Sequence, residues 1–163
     1  MTSHFLNKIP DHQVHKEKLI HLINKIPPNR YNNISHTDWN LPQDIRKEWQ
    51  HYFLEKIFLP WSKIISDQTN QTVALHNLWF QCYEKGDYHD WHVHNDTHFT
   101  NVYYLKLPNP NVKTSIIALG KETNFDVCEG DVLTFPAFWK HCSPINTYED
   151  SKIIISFNID LNV

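Results

Sequence analysis

The chain has 163 residues, 40% of them hydrophobic and 13% aromatic, with a formal net charge of −3 at pH 7. That length suits a single domain, residues 1–163, with a sizeable core, and a mildly acidic chain with scattered Lys and Arg gives no footing for nucleic acid. Three cysteines without C-x-x-C spacing argue against a disulfide framework or zinc ribbon and for a reducing compartment, the cytoplasm.

No stretch approaches the ~18 apolar residues of a membrane span. MTSHFLNKIPDHQ has no signal-type apolar core, and the three glycines form no G-x-G-x-x-G or P-loop pattern. Residues 1–70 read as mostly helical support. Asp11 is placed to cap a helix in which Val14, Leu19, Ile20, Leu22 and Ile23 recur with a period near 3.6 before Pro27 and Pro28 end it. The polar loop RYNNISHTDWN follows. Pro42 then opens a helix carrying Ile45, Trp49, Phe53, Leu54 and Ile57. Pro60 interrupts it, and a short helical piece around Trp61, Ile64 and Ile65 comes next.

Residues 71–163 change character. TVALHNLWFQCY, WHVH, FTNVYYLKL, TSIIAL, DVLTF and KIIISFNI alternate with the turn signals KGD, PNPN, GKETN and PAF. No helix-length segment separates them, which disfavours a parallel β-α-β sheet. The pattern predicts a mainly β fold with N-terminal helices: a jelly roll, or double-stranded β-helix, buttressed by residues 1–70.

YHDWHVHNDTH, residues 88–98, holds four of the 12 histidines, although about one H-x-H pair arises by shuffling in so histidine-rich a chain. If WHVHND is a strand, His92, His94 and Asp96 share a face, and two imidazoles at this spacing converge on one ion. His141, the only histidine after His98, follows DVLTFP and the PAFWK turn and is the candidate third ligand. Such a facial set leaves open positions, which suits an oxygen-activating iron site. His89 and His98 are assigned ordinary polar roles. Lys152 opens the last strand, with Ile154, Ser156 and Asn158 on its face. Its bland role is an ammonium in water. Its functional role is a cation gripping a substrate carboxylate that Ser156 or Tyr104 shares. Trp79 and Gln81, on one face of the preceding strand, are candidate pocket residues.

The ordered series WFQCYEKGDYHDWHVH, FTNVYYLKLP, EGDVLTFPAFWKHCSPIN and KIIISFN, spanning roughly residues 76–159, resembles the iron(II)- and 2-oxoglutarate-dependent dioxygenases. The nearest pattern is their short 2OG-Fe(II) oxygenase branch found in bacteria and marine phages. The resemblance implies Fe(II) and 2-oxoglutarate as cofactors. It also implies molecular oxygen as reactant, and hydroxylation of a small-molecule or side-chain substrate with release of succinate and CO2. The family's H-x-D (or E), distal His and basic residue fall on His92, His94, His141 and Lys152, with spacings of 47 and 11 residues after His94. Tyr104, the second Tyr of YYL, falls where some members bind the far carboxylate of 2-oxoglutarate. His94 departs from the pattern, because an imidazole in place of a carboxylate leaves the site more cationic, although H-x-H is usual in the short branch. A second register, His94-Asn95-Asp96, is a literal H-x-D and makes Asp96 the alternative carboxylate ligand. A bulky imidazole also argues against the halogenating relatives, which place a small residue there.

Two other classes stay open: a three-histidine cupin-type metal dioxygenase that does not use 2-oxoglutarate, and a non-catalytic jelly-roll binding protein. The substrate and the oligomeric state are open as well. A phage-encoded chain of this kind would work in the host cytoplasm.

Overall fold

The structure, a computed structural model, describes residues 4–162. It opens with β1 (Phe5–Lys8), α1 (His12–Ile23), β2 (His36–Thr37) and α2 (Gln43–Phe53), which runs through a π-helical turn (Leu54–Phe58) into α3 (Leu59–Thr69). Next come β3 (Thr72–Tyr83), β4 (His89–His92), β5 (Phe99–Lys106), β6 (Ser115–Ala118) and β7 (Lys121–Thr123). The chain closes with β8 (Asp131–Pro136), β9 (Lys140–Ser143) and β10 (Lys152–Asn162). Two antiparallel sheets result, ordered β1-β8-β5-β10-β3-β2 and β4-β9-β6-β7, and they pack face to face as the expected jelly roll.

Alternation along β10 explains why KIIISFNI is apolar almost throughout. Ile153, Ile155, Phe157 and Ile159 point toward the helices, where Phe157 meets Phe53, Phe58 and Trp61. Lys152, Ile154, Ser156 and Asn158 point the other way, between the sheets. A strand covered on both faces has no solvent side to mark with polar residues.

The helical part departs from the sequence pattern in three places. Asp11 occupies the cap position of α1, but its side chain makes no capping bond; its carbonyl instead accepts the Val14 and His15 N–H groups. Val14 (65% exposed) and Ile45 (37%) face solvent, so the buried helix faces are narrower than the apolar periodicity. Pro60 does not interrupt the second helix. Leu59 N–H reaches back five residues to Leu54 O, and this π-turn widens the helix so that Pro60 fits into the first turn of α3. Strands β1, β2, β7 and β9 were not anticipated, being two to four residues long with little room for a pattern.

Gly130 sets how closely α1 approaches the large sheet. Its φ is +93°, and a Cβ there would lie 2.9 Å from His12 Cγ. His12 is fixed above it by hydrogen bonding between Nδ1 and the Tyr103 hydroxyl at 2.6 Å. We expect Gly130→Ala to lower the unfolding free energy by about 1–3 kcal/mol, read from the urea midpoint. Gly86 has nearly the same φ, +92°, with nothing within 4 Å of its would-be Cβ, so Gly86→Ala carries only the backbone part and should lose less.

Candidate functional site

His92 ends β4 and lies opposite His141 on β9. The strand stops there, so WHVHND is not the regular strand expected. Val93 and His94 leave it, and His94 N–H donates to Ala137 O at 3.0 Å. The ligand-capable atoms of His92, His94 and His141 still come within 4.8 Å of one another. His92 Nδ1–H donates to the Asp90 carbonyl at 2.7 Å and His141 Nδ1–H to the Trp139 carbonyl at 2.9 Å. A carbonyl only accepts, so both tautomers are fixed with an Nε2 lone pair free for a metal. The third ring is held by Asn158, whose Nδ2–H donates to His94 Nδ1 at 3.0 Å. Burial pushes the imidazoles down, His94 to about 4 and His141 to about 3. They are therefore neutral at pH 7, the state metal ligation requires.

The other residues of the stretch divide. Asp96 is outside the cluster: its side chain is 83% exposed and faces His76 at 3.7 Å. His98 also lies apart, its Nδ1 accepting the Leu161 N–H at 3.0 Å. His89 is no bystander. In a regular strand, positions 89 and 92 point to opposite faces, but a bulge between them sets His89 against Ser143 and His92 against His141. The His89 ring consequently stacks on His92 at 4.0 Å and lines the same cavity.

That cavity has a volume of about 470 Å3, the size of a small-molecule site. His89, His92, His94, His141, Trp79, Gln81, Ser143 and Thr114 are in its wall. Behind Ser143 is Lys152, fully buried rather than in water. Its ammonium donates to Val112 O at 2.5 Å and Ser143 Oγ at 2.7 Å, and it sits 5.3 Å from the Tyr83 ring centroid. No carboxylate pairs with it among the described residues. The Tyr104 hydroxyl lies at the same end, accepting the Thr114 N–H at 3.3 Å. Ser156 does not share that end. It lies four residues along β10, about 13 Å of strand, and donates to Gln81 Oε1 at 3.3 Å. Ser143 and Thr114 were missed by sequence reasoning. The signal for Ser143 was its position two residues after His141, on the same strand face.

No protein-family profile and no curated protein matches the sequence. Solved structures do match. The Burkholderia pseudomallei oxidoreductase of the 2OG-Fe(II) oxygenase family superposes with a TM-score of 0.73 at 12% identity, over 96% of this chain and 84% of that one. The fold is that of the 2OG-Fe(II) oxygenases. HygX from Streptomyces hygroscopicus, with nickel and 2-oxoglutarate bound, gives a TM-score of 0.70 at 11% identity over 98% and 83%. The collagen prolyl hydroxylase of Paramecium Bursaria Chlorella virus-1, in complex with 2OG, gives 0.67 at 16% over 98% and 96%. No described helix is long and apolar enough to cross a membrane.

The buried imidazoles make stability depend on pH. Their folded pKa values lie below the ordinary 6.5, so on acidification the unfolded chain takes up protons that the folded one refuses. Stability from these groups is complete above pH 6.5 and is lost as pH falls below it. The urea midpoint of chelator-treated protein should drop between pH 7.5 and 5. His89, held down to about 4, contributes to that slope, and His89→Gln should flatten it.

Proposed function

We propose that the chain is a non-haem Fe(II)- and 2-oxoglutarate-dependent oxygenase that hydroxylates its substrate. One observation carries the reading: three neutral, converging imidazoles line a cavity, and behind its Ser143 wall lies a fully buried ammonium that no carboxylate pairs with among the described residues. A buried cation without a counter-charge is costly unless an anion completes it, and a dicarboxylate that reaches from the metal to Lys152 does so.

The residues fit the absent groups. His92, His94 and His141 would hold the ion; His92 and His141 already offer Nε2, and His94 would offer it once its ring proton is on Nδ1, donating to a turned Asn158 amide. Lys152 would take the far carboxylate, with Ser143 and Tyr104 beside it. When bound, the iron and cosubstrate supply oxygen activation, yielding succinate and CO2. The protein's part is to bind, orient and exclude. Asp90, Trp139 and Asn158 orient the imidazoles, and the aliphatic walls of Val102 and Ile154 keep the cosubstrate channel dry.

Anaerobic titration with Fe(II) and then 2-oxoglutarate should produce the weak visible charge-transfer band of the chelate. Absence of both metal and 2-oxoglutarate binding would sink the proposal. Lys152→Met should weaken 2-oxoglutarate binding on the order of 100-fold while leaving Fe(II) affinity in place. A three-histidine dioxygenase that ignores 2-oxoglutarate would show no such change.

Burial holds the Lys152 ammonium down to about 7. Above that pH the buried side chain is a neutral amine, and an incoming carboxylate favours its charged form. Binding of 2-oxoglutarate at pH 8 should therefore take up about one proton, measured by calorimetry in buffers of differing ionisation enthalpy. At pH 6 the uptake should vanish.

A further inference from the structure

We infer that the mouth of the cavity receives an uncharged, hydroxyl-bearing saturated ring, a glycosyl unit, lying against Trp39 and Trp79. The inference rests on the oxygenase reading for what happens to that ring, but not for its binding. Trp39 is 45% exposed and Tyr31 40%, and both lie in the cavity wall. Exposing so much aromatic surface forgoes hydrophobic free energy.

The backbone beneath Trp39 is nevertheless firmly fixed. Asp38, completely buried, accepts from Phe80 N–H at 3.0 Å, Trp49 Nε1–H at 2.8 Å and Arg46 Nε–H at 3.2 Å. The Thr37 hydroxyl donates to Phe80 O at 2.7 Å and accepts the Trp39 N–H at 3.2 Å. An exposed indole on a rigid mount is suited to meeting a partner without first being ordered.

The aromatic surface continues inward. Trp39 meets Trp79 edge to face, at a centroid distance of 4.7 Å and 68° between planes, and the buried Trp79 is 20° from parallel to the His94 ring at 6.0 Å. A stepped aromatic wall therefore runs from the exposed Trp39 face to the histidines. The axial C–H bonds of a saturated ring carry slight positive charge and complement the negative π faces. Around this wall, Asn32, Asn95 and Asp96 offer the mixed donors and acceptors that neighbouring hydroxyls match.

Other ligand classes fit less well. The lining has no lysine or arginine, and Lys152 is buried at the opposite end, so a phosphate or nucleotide finds no cation at the mouth. A peptide adding to the outer edge of β4 meets the 31–34 loop, because Tyr88 N–H already donates to Asn33 O at 3.1 Å.

The test is saturation-transfer NMR on the full chain loaded with redox-inert Zn(II). The probes are methyl glycosides of the common hexoses, N-acetylhexosamines and pentoses, together with a prolyl tripeptide and AMP. At least one glycoside should show transfer to its ring protons. Trp39→Ala should weaken that binding by roughly fivefold or more, as for loss of one aromatic contact, and Trp39→Tyr should retain most of it. Transfer to no glycoside, preference for the peptide or AMP, or an undiminished signal in Trp39→Ala overturns the inference. Zinc-loaded protein does not turn over, and the same NMR run without zinc shows whether binding needs the metal, so failure here is told apart from failure of the iron and 2-oxoglutarate titration.

Discussion

Burial of β10 on both faces is the constraint on which the rest of the structure depends. Its outer face is sealed by the helices, chiefly through Phe157 against Phe53, Phe58 and Trp61. Its inner face is thereby fixed in register with β3 and β5. The three polar side chains that shape the cavity hang from that inner face: Lys152 at one end, Ser156 in the middle and Asn158 against His94. A slip of one residue would turn all three into the helix interface and send isoleucines into the cavity. The helices thus act on the site without lining its cavity.

The second sheet supplies what β10 cannot. Pairing of β4 with β9 brings His92 and His141 together, although 49 positions separate them in the chain. The same pairing places Ser143, two residues beyond His141, next to the Lys152 ammonium. One strand therefore reaches both ends of the cavity. The distance between its two ends is set by backbone geometry rather than by mobile side chains, and such a frame can discriminate a cosubstrate by length.

Much of this was legible in the sequence because it depends on short-period patterns. The long strands β3, β5 and β10 announced themselves by composition and by the turns between them, and the H-x-H and distal His pattern coincides with the three histidines that the fold brings together. What stayed hidden depends on local irregularity. The role of His89 comes from a bulge, which breaks the alternation from which its face was inferred. His94 reaches the cluster from a loop, held by Ala137 O and Asn158, two contacts with no local sequence mark. The π-turn before Pro60 absorbs a residue that normally signals a break. Trp39 lies in a polar loop, where only the burial of its neighbour Asp38, visible in three dimensions, shows that the loop is anchored.

The histidine in place of a carboxylate has a consequence for what the cavity tolerates. A divalent ion on three neutral imidazoles would keep both its charges, whereas an H-x-D set would leave one. With the Lys152 ammonium opposite, a dianionic cosubstrate would leave this cavity one net positive charge that the carboxylate version lacks. Nothing in the inner wall offsets it, since Asp96 is at the rim and 83% exposed, where water screens it. A cationic substrate entering past Trp79 would be repelled along the whole approach. An anionic one would be drawn inward but would compete with the cosubstrate for the same metal face. A neutral ring would avoid both penalties, so the charge that an ion on His94 would leave and the aromatic mouth would select in the same direction.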